Sequence, residues 1–157
     1  MRRRLLVSLL ILLLLSACSA TPRSSPYQLY FLSTADHGPA ILSQSYPGDG
    51  TPTPEQLLLA LLNGPEDDHL RSPFPQGLSL RRCVQDGSHI IVDFSEQYSG
   101  LSDIFLTLAD YCVVLTLCQL DGIDSVEITV SGHPIPYRSH QILTHDEVMS
   151  ITCQMRD

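Results

Sequence analysis

Four side chains near the C-terminus are of the types that hold metal ions. His140, His145, Asp146 and Glu147 offer nitrogen and oxygen ligands within a short stretch of the chain. A metal site needs ligands that converge on one point, and spacing along the chain does not establish such convergence. Because Thr144 directly precedes His145, the stretch is more typical of the polar first turn of a helix. We therefore predict no metal site here.

Two other groups of residues could do chemistry. Glu66-Asp67-Asp68 has the carboxylates of a glycosidase or a calcium loop, but it lacks the alternating ligands of an EF-hand and favours a solvated acidic loop. Cys83 or Cys112 beside a histidine would supply a thiol nucleophile, although a buried thiol is normally inert. The chain has no G-x-S-x-G, phosphate-binding glycine loop or H-E-x-x-H motif. We assign no catalytic residue and expect no cofactor.

Five cysteines occur in the chain, and the first stands apart from the others. The remaining four, Cys83, Cys112, Cys118 and Cys153, fit no zinc-site spacing. In an exported domain an even number of cysteines permits two disulfides. The alternative is that they are small buried hydrophobic residues, and the sequence leaves both interpretations open.

The N-terminus has the order of a secretory signal peptide. Arginines at 2–4 precede apolar residues 5–15, and Leu15-Ser16-Ala17-Cys18 follows; this is the usual sequence of charged, apolar and small-residue segments. The alternative is a retained membrane anchor, but the apolar stretch is shorter than the roughly 20 residues that a bilayer crossing needs.

Leu-Ser-Ala-Cys is similar to the lipobox of bacterial lipoproteins, in which the cysteine receives a diacylglyceryl group before cleavage. We predict a signal peptide at 1–17, cleavage between Ala17 and Cys18, and lipid on Cys18. Two or more acyl chains anchor a protein stably. The mature chain is then expected on the extracytoplasmic face of the cell membrane, with residues 18–26 as a polar, proline-broken tether.

The charge balance excludes some partners. The chain has no lysine, and removal of residues 1–17 leaves six arginines against 17 acidic residues, a formal net charge of −11. Phosphate backbones and anionic lipid head groups repel such a protein. We therefore expect no nucleic-acid partner and a membrane attachment that depends on lipid. The length fits one domain.

Periodic apolar residues predict the order β-β-α-β-β-α-β in one α+β domain, a mixed sheet with two helices packed on one face. Strands are predicted at 27–33, 40–46, 78–84, 89–94 and 126–130, and helices at 53–62 and about 102–120. Residues 66–76 are predicted as a loop. The C-terminal extension, 138–157, could hold a closing strand that includes Ile151. The second helix is predicted to bury one face, formed by Leu101, Ile104, Phe105, Leu108, Cys112 and Leu115.

A series of short motifs resembles the GerMN domain, a family named for a spore germination and sporulation protein of endospore-forming bacteria. The resemblance covers about 27–137 and rests on the following motifs in this order: Leu61-Leu62-Asn63-Gly64-Pro65, Pro75-Gln76-Gly77-Leu78, Asp86-Gly87, Val92-Asp93-Phe94-Ser95, Leu115-Thr116-Leu117, and 126–132 followed by Pro134. It implies an exported, commonly lipid-anchored module without known catalytic activity. It also implies a fold similar to ring-building domains of sporulation complexes.

Most motif residues have structural interpretations. Asn63, Gly64 and Pro65 are predicted to end the first helix, and Gly77, Gly87 and Gly132 to form turns. Asp93 lies between two apolar strand residues and therefore points to the opposite face. We predict that it caps a loop or the second helix by accepting backbone N–H bonds.

These observations favour a non-enzymatic interaction or assembly module with a protein partner in the cell envelope. The founding family member has two such domains and this chain has room for one, which leaves a sporulation role and a general envelope role both open. The alternatives are a small envelope hydrolase with a Cys–His or carboxylate pair, and a ligand-binding lipoprotein that feeds a transporter.

Overall fold

The computed structural model describes residues 25–35, 40–136, 138 and 140–154. Its elements, in chain order, are β1 (Gln28–Ser33), β2 (Ile41–Ser45), α1 (Pro54–Leu62), β3 (Leu70–Arg71), β4 (Leu80–Asp86), β5 (His89–Phe94), a 3₁₀ helix (Glu96–Gly100), α2 (Asp103–Leu117), β6 (Ser125–Val130), β7 (His133–Pro134), β8 (Ile142–Thr144) and α3 (His145–Gln154). Within these ranges, no helix has the length and apolar character that a bilayer crossing requires.

The predicted α+β class is confirmed, and the strands form two sheets. In the first sheet, β1 lies between β2 and β3, and all pairs are antiparallel. In the second, β4 pairs with β5, β5 runs parallel to β6, and both β7 and β8 pair with the far edge of β6. Helix α2 makes the crossover that a parallel neighbour requires.

Local signals set the first helix and the central hairpin. Thr53 and Gln56 cap α1 reciprocally: the Thr53 hydroxyl accepts the Gln56 N–H at 3.2 Å, and the Gln56 side chain accepts the Thr53 N–H at 2.8 Å. This is the capping box that the sequence predicts. Between β4 and β5 the chain turns at Gly87, whose φ of 61° suits glycine.

Helix α2 is buried on all sides for most of its length. Every residue of 108–117 is buried, and the helix contacts β1 of one sheet, β6 of the other, and both flanking helices. The predicted single buried face is wrong at the first turn: Ile104 and Phe105 are 48% and 54% exposed. Leu106 takes the core-facing position there instead, at 6% exposed.

The C-terminal segment differs from the predicted strand at Ile151, which lies in α3. The segment does provide a strand, β8, but earlier in the chain, where it pairs with β6. The reason is a second capping box: the Glu147 carboxylate accepts the Thr144 N–H at 3.1 Å, and the Thr144 hydroxyl accepts the Glu147 N–H at 3.4 Å. The Thr144 hydroxyl also donates to the Glu147 carboxylate at 2.9 Å, and this bond together with the one from the Thr144 N–H lowers the pKa of Glu147. The capping box starts a helix directly after Thr144.

The predicted loop at 66–76 contains β3, which has only two residues and therefore no periodicity to detect. Its pairing with β1 is supported by the Thr34 N–H, which donates to the His69 carbonyl at 2.9 Å. Leu70 is buried against the first sheet.

The core contribution of the second sheet can be tested at Ile128, which is fully buried in β6. We expect Ile128→Ala to lower the free energy of unfolding by about 2–5 kcal/mol, because it removes buried methyl groups and leaves a cavity. Ile142→Ala in the adjacent strand β8 is the control, since Ile142 is 51% exposed; its expected effect is below about 0.5 kcal/mol. Urea denaturation measures both. Equal losses would contradict this arrangement.

Candidate functional site

The carboxyl ends of the parallel strands β5 and β6 meet at one edge of the second sheet. Open sheets with parallel strands commonly bind ligands outside this edge. Three features lie there: a carboxylate that holds a turn, a buried ion pair, and a cavity.

Asp93 holds the turn between β6 and β7. Its Oδ1 accepts the Gly132 N–H at 2.7 Å and the Thr129 hydroxyl at 2.8 Å, while Oδ2 accepts the Arg81 Nε–H at 3.2 Å. The turn residues Ser131 and Gly132 both have positive φ, 50° and 81°. Oδ1 of Asp93 thus fixes a two-residue turn in which Ser131 has a strained positive φ, while Oδ2 is engaged by Arg81 of β4. The capped element is this loop rather than the second helix.

Behind this edge lies a buried polar cluster of Tyr98, Asp110 and Arg138. The Tyr98 hydroxyl and the Arg138 Nη2 each donate to Oδ1 of Asp110 at 2.6 Å. Arg138 Nη1 donates to the Ile128 carbonyl at 2.8 Å. The side chains of the ion pair are each 6% exposed, so the cluster links the 3₁₀ helix, α2, β6 and the C-terminal segment out of contact with solvent.

Burial dominates the electrostatics of this cluster. It raises the pKa of Asp110 to about 6, although the attraction of Arg138 and the bonds from Tyr98 and Arg138 act in the opposite direction. Burial and the neighbouring carboxylate raise the pKa of Tyr98 well above its usual value, so its hydroxyl remains a donor. Two atoms of the region, Arg138 Nε and Gln141 Oε1, are buried without a hydrogen-bond partner.

An open cavity of about 360 Å³ lies at the same edge. Glu96 and Ser99 of the 3₁₀ helix form one side, and residues 130–131 and 133–136 form the other. Its volume is within the range of small-ligand sites. Its polar groups are one carboxylate, two serine hydroxyls and the imidazole of His133.

The structure also brings together three residues that sequence reasoning missed. His89 Nδ1 lies 2.8 Å from the Ser125 hydroxyl, and His89 Nε2 lies 3.6 Å from the Glu127 carboxylate. A hydroxyl, an imidazole and a carboxylate in this order form the acyl-transfer triads of hydrolases. The Ser125 N–H, however, already donates to the Ser88 carbonyl at 3.3 Å and is not free to stabilise an oxyanion. Only the register of β5 and β6 joins these residues, so no local motif marks them.

The described thiols are unsuited to nucleophilic chemistry. Cys83, Cys112 and Cys118 are free, and no disulfide joins them. Burial raises the pKa of Cys83 and of Cys118 to about 11 and raises that of Cys112 further. All three are therefore protonated at neutral pH, as expected of small hydrophobic residues. The predicted positions Ala17 and Cys18, and the side chain of Cys153, lie outside the described residues.

The remaining predicted residues have structural positions. Asn63 is the C-cap of α1 and precedes Pro65; Gly64, Gly77, Gly87 and Gly132 all have φ between 61° and 88°. Near the C-terminus, His145 faces Asp146 at 3.6 Å, while Glu147 is engaged by Thr144. In the part of the chain that the structure describes, no three His, Cys, Asp or Glu side chains are grouped so as to hold a metal ion.

Comparison with known proteins gives a family match. The family model described as "Germane: Sporulation and spore germination" matches residues 28–136. No curated protein sequence matches the chain.

Solved structures that are similar to the chain include the following three. The first GerMN domain of the sporulation protein GerM from Bacillus subtilis has a TM-score of 0.62 at 18% identity, over 76% of this chain and 97% of that one. The tandem GerMN domains of the same protein give 0.63 at 18% identity, over 77% of this chain and 46% of that one. A proposed lipoprotein from Clostridium perfringens gives 0.54 at 21% identity, over 76% and 87%. At these identities the likeness shows the fold, and this chain spans about half of the tandem structure.

The buried ion pair can be tested by removing its cation. We expect Arg138→Met to lower the free energy of unfolding by about 3–5 kcal/mol at pH 8, because it leaves the Asp110 carboxylate buried and unpaired. The loss should shrink at pH 5. The folded-state pKa of Asp110, about 6, exceeds its ordinary value of 3.8, so at pH 5 the carboxyl group is mostly protonated in the folded protein and needs no cation. By the same shift, the stabilisation that protonated Asp110 gives the folded state is complete below about pH 4 and is lost as the pH rises through 6.

Urea denaturation of both proteins at pH 5 and pH 8 measures this difference. Tyr98, Tyr111 and Cys112 surround Asp110 but have raised pKa values and stay neutral across the range. Arg81→Met is the matched control: the Arg81 side chain is 54% exposed, and the buried Asp93 carboxylate keeps its bonds from Thr129 and Gly132 without it. Its expected loss is therefore smaller, about 1 kcal/mol or less. A loss for Arg138→Met that is the same at both pH values would refute the assignment.

Proposed function

The chain belongs to the Germane family of sporulation and spore germination proteins, and we propose that it is a lipid-anchored interaction module of the cell envelope. It acts in sporulation, germination or a related envelope process. It works by binding a protein partner and not by catalysing a reaction.

The predicted lipobox supports the anchor. Cys18 follows small residues and an apolar segment, and the described domain starts at residue 25, a few residues further on. The similar Clostridium perfringens protein is itself a proposed lipoprotein. In this proposal the lipid on Cys18 holds the domain on the extracytoplasmic face of the membrane, while its acidic surface stays clear of anionic head groups.

The observation that carries the non-enzymatic role is the engagement of the two buried carboxylates. One oxygen of Asp93 accepts a hydrogen bond from the turn after β6, and the other accepts one from Arg81. Asp110 accepts hydrogen bonds from Tyr98 and Arg138. A general acid or base needs a proton that substrate can reach, and these groups face structural partners. The protonated thiols add no nucleophile.

A second candidate, an envelope hydrolase, is favoured by one observation: the order of Ser125, His89 and Glu127. The sequence-based form of this alternative used a cysteine or a carboxylate pair, and neither has support from the geometry. The serine form has a hydroxyl beside an imidazole, but it has no oxyanion donor at Ser125 itself. The interaction role is therefore better supported.

The anchor is tested by Cys18→Ala in the producing cell. We expect the variant to incorporate no labelled fatty acid and to leave the membrane fraction, because a single cysteine carries the lipid. Cys83→Ala is the control, since Cys83 is half-buried in β4, and it should stay labelled and membrane-bound. Metabolic palmitate labelling with membrane fractionation provides the measurement. A labelled Cys18→Ala protein would rule out this anchor.

The non-enzymatic role is tested by Ser125→Ala. We expect this variant to rescue a deletion strain as well as wild type does, because the hydroxyl serves only a partly buried hydrogen bond to His89. The purified wild-type protein should not react with a fluorophosphonate probe. Loss of rescue by a folded Ser125→Ala protein, together with labelling of wild type at Ser125, would establish the hydrolase instead.

A further inference from the structure

The domain has two opposite ends, defined by helix α2. At the C-terminal end of the helix, Gln119 holds the start of β1: its Oε1 accepts the Gln28 N–H at 2.7 Å and its Nε2 donates to the Gln28 carbonyl at 2.6 Å. The nine residues 18–26 that precede the domain span at most about 30 Å. We call this the tethered end, because the lipidated segment enters here.

The other end lies one helix length away, about 22 Å for the 15 residues of α2. Ile104 and Phe105 project there from the first turn of the helix, about half exposed. The cavity at the carboxyl edge of β5 and β6 belongs to the same end, because the 3₁₀ helix that lines it leads directly into α2. Ser99 and Ile104 are five residues apart and thus within about 17 Å. We define the distal surface as Ile104, Phe105, Glu96 and Ser99.

Adjacent exposed apolar side chains distinguish this surface. The other large hydrophobic residues that are exposed in the described chain occur one to an element, on β2, α1, β8 and α3: Leu42, Leu59, Ile142 and Met149. Single exposed apolar residues are ordinary, whereas apolar side chains grouped beside polar ones are typical of binding surfaces. Within α2, these two exposed residues of the first turn differ from the rest of the helix, which is buried from Leu108 to its end.

We propose that the distal surface docks an envelope protein whose contact face has apolar side chains surrounded by arginine or lysine. This inference rests on the proposed function and assigns its interaction to one surface. Ile104 and Phe105 provide the apolar centre of the contact, and Glu96 lies in its polar rim, as in other protein interfaces.

Position and charge together select this occupant. A lipid bilayer is the wrong surface, because the tether enters at the opposite end and the mature chain repels anionic head groups. A second copy is disfavoured, because two mature chains, each of formal net charge −11 after removal of residues 1–17, repel each other. A basic partner is attracted by the same field, which speeds its association at low salt.

A photoreactive benzoylphenylalanine placed at Phe105 of the full lipidated chain tests the proposal in cells. The same group at Leu59, which is 48% exposed on α1, is the matched control. We expect one envelope protein to be crosslinked from position 105 and not from position 59. The captured protein is then purified and its affinity measured against wild type, the double variant Ile104→Ser/Phe105→Ser, and Leu59→Ser.

The affinity of the double variant should fall at least about tenfold, as for loss of central apolar contacts, while Leu59→Ser binds like wild type and high salt slows association. The single variant Phe105→Leu keeps an apolar group and should retain binding. This result would attribute the weaker binding of the double variant to the lost apolar contact. Crosslinks to lipid or to a second copy at position 105, or unchanged affinity of the double variant, would overturn the proposal. A partner captured only from position 59 would also overturn it, but would leave the proposed interaction role intact.

Discussion

The burial of α2 between two sheets is the constraint on which the rest of the structure depends. Since residues 108–117 have no exposed side, each polar group on this stretch needs a specific partner. The Thr116 hydroxyl accepts the Tyr30 N–H at 3.2 Å, which ties the first sheet to the helix. Asp110 accepts hydrogen bonds from Tyr98 and Arg138, and Arg138 also donates to the Ile128 carbonyl of β6, which connects the helix to the second sheet. Asp110 and Thr116 thus fix how both sheets pack against the helix.

This constraint also explains why the C-terminal segment belongs to the fold. The family match ends at residue 136, yet Arg138 neutralises the carboxylate that α2 buries. Beyond it, β8 covers the edge of β6 that β7 leaves free, and Val148 of α3 is fully buried. An unpaired strand edge and an unpaired buried charge are both costly. The described residues after 136 therefore pack as part of the same folded unit.

The sequence predicted those features that depend on near neighbours. The capping box at Thr53, the turn at Gly87 and the alternation around Asp93 are local patterns, and the structure contains all three. Strand β3, the division into two sheets and the exposure of Phe105 depend on contacts between distant residues, which periodicity does not encode. The buried cluster had one usable signal: Asp110 is an acidic residue within an apolar helix, and such a residue requires a buried partner. Nothing local identified that partner as Arg138.

The separation of the two ends matters more for a tethered protein than for a free one. In the proposed lipid-anchored state, a tether of nine residues confines the domain to a layer about 30 Å deep above the membrane, so a partner in the same layer meets it at high effective concentration. Under that confinement a modest apolar contact is sufficient for assembly, because the membrane has already removed much of the translational freedom that association costs. Charge adds a second constraint in this proposal: an acidic mature chain is repelled from anionic lipid and from its own copies, and it attracts basic proteins. Lipid, charge and Phe105 would therefore have separate roles, since the lipid sets the layer, charge favours a basic partner over lipid or a second copy, and the apolar contact selects among basic partners.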